Sequence, residues 1–76
     1  MFISATIETS DGKADIRIDS EQVIGQGLKV LRESGKLPSG SVPDYFHSRL
    51  NRRLVSAYMT FAEEQIYDGD ILSAVE

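Results

Sequence analysis

At 76 residues and 8.4 kDa, the chain suits one small domain and has no length for two. It carries no cysteine, which excludes disulfides and thiolate metal sites, and its net charge of −4 runs against the counterion displacement that nucleic-acid binding requires. No long apolar run suits a spanning helix, and no basic segment followed by an apolar one marks a signal peptide.

A domain of this size buries only about 60% of its extended-chain surface, so an unstapled core must hold the fold. Hydrophobic residues at 41% with 26% charged residues read as globular. Ile3, Ala5 and Ile7 alternate with Ser4, Thr6 and Glu8, which predicts a half-buried strand. Thr9-Ser10-Asp11-Gly12 supplies the turn, and Ala14, Ile16 and Ile18 alternate with Asp15, Arg17 and Asp19 in a second strand. The pair predicts an antiparallel hairpin.

Asp19 or Ser20 is the expected helix cap, with Asp19 and Gln22 spaced as a capping box. Ile24, Leu28 and Leu31, flanked by Val23 and Val30, form the predicted buried stripe. Gly25 and Gly27 each weaken this helix by roughly 1 kcal/mol relative to Ala. Close packing on the sheet accounts for Gly27. Gly35 ends the helix as a left-handed cap, Pro38 follows as a stop signal, and residues 35–44 form a crossover loop.

Tyr45 to Leu50 predicts a third strand, with Phe46 and Leu50 on one face and Tyr45, His47 and Arg49 on the other. Asn51-Arg52-Arg53 turns the chain into a short fourth strand at Leu54-Val55. Thr60 caps a single helical turn, completed by Glu63 as a capping box and anchored by Phe61 and Ile66. Asp68-Gly69-Asp70 is the final corner, before a last strand from Ile71 to Val75. These elements predict an α+β fold with one helix packed on a mixed sheet of four to five strands.

The 76-residue length, the Ile66-x-Asp68-Gly69-Asp70-x-Leu72 corner and a chain that stops with the fold together carry a resemblance. From Met1 to Val75 the chain resembles the ubiquitin-like β-grasp, a single ubiquitin-like domain over 1–76. Within that fold it is similar to the YukD/EsaB family, small proteins encoded with bacterial type VII secretion systems. The resemblance implies a non-conjugating, non-enzymatic accessory or regulatory binding module in the cytoplasm, with no cofactor. The implied partner is a protein, a cytosolic domain of the secretion machinery. Nucleic acid and direct membrane insertion are not expected, and a weak homodimer is a further association allowed. A noncatalytic β-grasp subunit of a multicomponent monooxygenase is the alternative. A sulfur or protein carrier needs a flexible diglycine carboxylate, whereas this sequence reads Ser73-Ala74-Val75-Glu76.

The candidate binding residues come from strand alternation. If Ile3, Ala5 and Ile7 face inward, Phe2 faces outward; if Leu72 and Ala74 face inward, Ile71 and Val75 face outward. Phe2, Ile71 and Val75 then form an apolar patch beside His47 and Arg49. A one-residue slip would instead bury Ile71. Arg49, Arg52 and Arg53 read either as a docking patch for an acidic partner or as a solvated edge that discourages strand pairing. The lone His47 has no identifiable catalytic partner and reads as a surface-strand residue. Asp68 and Asp70 supply too few oxygens for calcium and read as turn residues bonding local amides.

Overall fold

The structure, a computed structural model, describes residues 1–36 and 42–75. Its elements are β1 (Phe2–Thr9), β2 (Gly12–Asp19), α1 (Ile24–Glu33), β3 (Tyr45–Ser48), β4 (Arg53–Ser56) and β5 (Asp70–Ala74). The strands form one sheet in the order β2-β1-β5-β3-β4. β1 and β5 lie parallel at its centre, and the other pairings are antiparallel. The crossover loop and Pro38 lie largely within residues 37–41, outside the described residues.

One face of the sheet is apolar. Ile3, Ala5 and Ile7 from β1, Ile16 and Ile18 from β2, Phe46, Val55 and Leu72 are buried together with Ile24 and Leu28 of the helix. Phe61 and Ile66 close the core from the segment before β5, both almost fully buried. Leu72 is the inward residue of β5, so the alternation read from the sequence has the right register.

The helix starts later than expected. Its cap position is Val23, which offers no side-chain bond, and the first helical residue is Ile24. Backbone carbonyls replace the capping side chain: Ile24 N–H donates to the Met59 oxygen at 2.8 Å, and Gly25 N–H to that of Ala57 at 2.7 Å. The open N–H groups of a helix start must find acceptors somewhere, and here the chain after β4 supplies them. Asp19 instead accepts the Glu21 N–H at 3.0 Å and holds the turn before the helix. The glycines of α1 have matching reasons. A Cβ on Gly25 would lie 3.0 Å from the Ala57 carbonyl oxygen, and one on Gly27 would lie 2.5 Å from Ile18 Cδ1.

The helix ends as expected. Gly35 takes φ +78, its N–H bonds the Arg32 oxygen, and the Lys36 N–H bonds that of Leu31, the reciprocal pair of a Schellman motif. Val30, expected to flank the stripe, is 61% exposed, because it falls on the side of α1 turned away from the main core.

Two further expectations need correction. β3 ends at Ser48, which is buried, and Leu50 is exposed in the turn beyond it. Arg53 belongs to β4 rather than to the turn, with Arg52 at φ 55 making the reversal. The Thr60–Glu63 capping box forms as read: Thr60 N–H bonds Glu63 Oε1 at 3.0 Å, and Glu63 N–H bonds Thr60 Oγ1 at 2.9 Å.

Candidate functional site

The outer sheet face, opposite the helix, carries the candidate binding residues. Cross-strand register sets their neighbours. Ile71 lies between Thr6 of β1 and Arg49, Ser73 between Glu8 and His47, and His47 beside Leu54 of β4. The Val75 N–H bonds the Tyr45 oxygen at 3.1 Å, which continues the pairing one row further. Tyr45, Leu54 and Val75 are exposed at 51, 55 and 44%, and Ile71 is half-buried. Together they surround the exposed His47.

Phe2 does not join this group. Its register partner is Asp19 on β2, and it sits four residues before Thr6, the partner of Ile71. At strand spacing that is about 13 Å. Phe2 instead lies under Arg17, with the guanidinium carbon 5.8 Å from the ring centroid. Alternation places a residue on a face but not in a row, and the parallel register of β1 with β5 was not legible.

The three arginines also separate. Arg49 stays on the outer face, 3.8 Å from Glu8 Oε1, which also accepts the Ser73 hydroxyl at 3.0 Å. Arg53 pairs in register with the buried Ser48 and so lies on the opposite face. There its guanidinium bonds Glu64 Oε1 at 3.2 Å and the Glu64 backbone oxygen at 2.7 Å. Arg52 occupies the turn and is exposed. A single basic patch therefore does not exist.

Two residues of the outer face escaped the sequence reading as candidates. The sequence marks Leu54 only as part of a short strand, and the inward Val55 beside it turns Leu54 out. Strand alternation puts Tyr45 on the outer face, but nothing in the sequence marks it as an anchor.

The corner at Asp68-Gly69-Asp70 is a fold-holding device. Gly69 takes φ +87. Asp68 accepts the Ser4 N–H at 2.7 Å, a contact to the distant first strand rather than a local amide. Asp70 is buried and accepts the Ser48 hydroxyl at 2.5 Å, the Leu50 N–H at 3.0 Å and the Ile71 N–H at 2.7 Å. Its carboxylate thereby ties the β3–β4 turn to β5. Among the described residues no group of three or more His, Asp or Glu side chains is placed to hold a metal ion. Nor is any described helix long and apolar enough to cross a membrane.

A solved structure shares this arrangement along nearly the whole chain. The EccD5 ubiquitin-like domain from Mycobacterium xenopi superposes with a TM-score of 0.60 at 21% identity, covering 99% of this chain and 93% of that one. The fold is the ubiquitin-like β-grasp. No protein-family model matches the sequence, and no curated protein matches it. At this identity the likeness speaks to architecture. The side chains of the outer face have to be read on their own terms.

Proposed function

We propose that this chain is a non-conjugating, noncatalytic ubiquitin-like module of a bacterial type VII secretion system. In this reading residues 1–76 form one domain that works in the cytoplasm and binds a cytosolic part of the machinery. The reading is supported above all by the end-to-end likeness to a domain of EccD5, a mycobacterial type VII secretion component. It agrees with the YukD/EsaB resemblance of the sequence, and no comparison favours an oxygenase subunit.

The outer face is the binding surface of this proposal. Tyr45, Leu54, Val75 and Ile71 are its apolar anchors, and His47 and Arg49 sit between and beside them. Phe2, Arg52 and Arg53 lie outside it. Apolar anchors near an interface centre typically contribute about 2 kcal/mol or more when truncated, whereas rim charges act mainly on association rate. Leu54→Ser and Val75→Ser are the variants of choice, since both side chains are exposed and neither fills the core.

The experiment is capture from native lysate with the intact protein and each variant, read by mass spectrometry, beside a thermal melt. Wild type should retain a secretion-machinery component, and both variants should lose it while melting near the wild-type temperature. Absence of any secretion component from the wild-type capture refutes the assignment. Undiminished capture by both variants moves the site off this face.

A further inference from the structure

The two edges of the sheet differ in kind. On the β4 edge the Ser56 N–H is taken by Glu64 Oε2 at 2.6 Å, and the Leu54 oxygen is approached by Arg53 Nη1 at 3.4 Å. That edge is covered. The β2 edge is eight residues long, and no described residue pairs along it.

The hydrogen-bond phase of the hairpin identifies which groups face outward there. Ser20 N–H donates to the Met1 oxygen at 2.7 Å. Closely bonded and open pairs alternate along an antiparallel ladder. The even-numbered residues of β2 therefore bond inward to β1, and Lys13, Asp15 and Arg17 turn their N–H and C=O groups outward. Asp19 shares this phase, with its C=O taken by the Gln22 N–H at 3.0 Å.

These four residues read plus, minus, plus, minus. An antiparallel copy of β2 centred on Ile16 places Lys13 opposite Asp19 and Asp15 opposite Arg17, and by the two-fold the same again. All four facing pairs are of opposite charge. A shift of two residues in either direction sets Asp15 against itself or Arg17 against itself, with like charges in the remaining pairs as well. A shift of one puts outward groups against inward ones and breaks the ladder. Opposite charges directly across a strand pair stabilise it and like charges oppose it. A shift of four restores only two opposite pairs within β2, so the pattern favours the pairing centred on Ile16.

We propose that β2 is a self-association edge, through which two copies of this chain pair antiparallel about Ile16 into one continuous sheet. The arrangement is isologous, since each contact occurs twice about the two-fold axis. On the inner side of the same seam, Ile16 meets its own copy and Ala14 meets Ile18. Val30, one helical turn from the Gly27 that packs on Ile18, adds exposed apolar surface on that side of α1. Three of the four charged side chains are already held in place. Asp15 accepts the Thr6 hydroxyl at 2.7 Å, Arg17 rests on Phe2, and Asp19 pairs with the Met1 amine at 3.2 Å. The covered β4 edge keeps the pairing from propagating into a chain of copies. This inference is independent of the partner assigned to the outer face.

Charge exchange tests it. Sedimentation equilibrium of the full chain should show the mass move from one copy to two as concentration rises to the millimolar range. Arg17→Asp and Asp15→Arg should each remain at the mass of one copy, because each sets like charges against each other in the self-pair. Mixed in equal amounts, the two variants should regain the mass of two copies, since every altered pair then becomes opposite. An amide NMR spectrum of each variant keeps folding separate from association. A wild type that stays monomeric at millimolar concentration overturns the proposal, as does a folded pair of variants whose mixture fails to dimerise.

Discussion

Glu64 and Ser56 form the closest contact on the β4 edge, with a carboxylate oxygen 2.6 Å from a strand N–H. The other oxygen of the same carboxylate holds Arg53 at 3.2 Å. One side chain thus satisfies an open edge donor and anchors the residue that shields the next acceptor. Hydrogen bonds to charged groups contribute roughly 1.5–3 kcal/mol, and an uncovered edge is a template for unwanted pairing. Glu64→Ala should therefore lower unfolding free energy by about 2 kcal/mol in a urea titration and raise light scattering on heating. Scattering unchanged from wild type would show that the β4 edge is protected by something else.

Asp70 should be the most sensitive polar residue. Its carboxylate accepts three donors inside the protein, from Ser48, Leu50 and Ile71. Each donor stranded without a partner costs about 1–3 kcal/mol. Asp70→Ala should lose several kcal/mol and leave much of so small a domain unfolded at room temperature. Asp70→Asn keeps the shape and one acceptor oxygen, so its loss should be smaller, as circular dichroism melts of the two would show.

Gly27 and Ile18 should be coupled. Gly27→Ala gains roughly 1 kcal/mol of helix propensity, but its methyl would stand 2.5 Å from Ile18 Cδ1, and overpacking typically costs about 1–3 kcal/mol. The single change should be net destabilising. Ile18→Val removes the obstructing methyl. The double variant should then be more stable than the sum of the two single effects, a positive coupling measurable by a double-mutant cycle.

Tyr58 should ionise late. Its hydroxyl donates to Asp44 Oδ1 at 2.8 Å, and that bond, together with the charge of Asp44, holds the phenol above its ordinary value. A group whose folded pKa is raised contributes stability that is present below its unfolded pKa and fades as pH rises through the folded one. Ultraviolet titration should show Tyr58 ionising above the usual tyrosine range, and Asp44→Asn should return it toward that range. An unchanged titration in the variant would remove Asp44 as the cause.

The legible part of this molecule is whatever repeats along the chain with a fixed period. Ile3-Ala5-Ile7, Ile16-Ile18 and Leu72 revealed the inner face, and Thr60 with Glu63 revealed a turn whose bonds are local. The illegible part depends on groups far apart in sequence. No local signal says that Ala57 and Met59 carbonyls will cap α1 in place of Asp19, because backbone acceptors carry no residue preference. The same holds for the site: Ile71 was placed on the correct face, yet its neighbour Thr6 rather than Phe2 follows from a parallel register that neither strand encodes alone.

The bond between Ser73 and Glu8 spans 65 positions of sequence. It has a consequence for the birth of the protein. β1 is made well before its central neighbour β5. At usual translation rates of about 5–20 residues per second, β1 waits roughly 3–13 s with one side of its backbone unclaimed. Throughout that interval the β1–β2 hairpin can exist, but the sheet has no middle. Slow codons anywhere between those for β1 and those for β5 would lengthen this exposure. The yield of folded protein in a cell should therefore respond to the tempo at which the stretch between β1 and β5 is made.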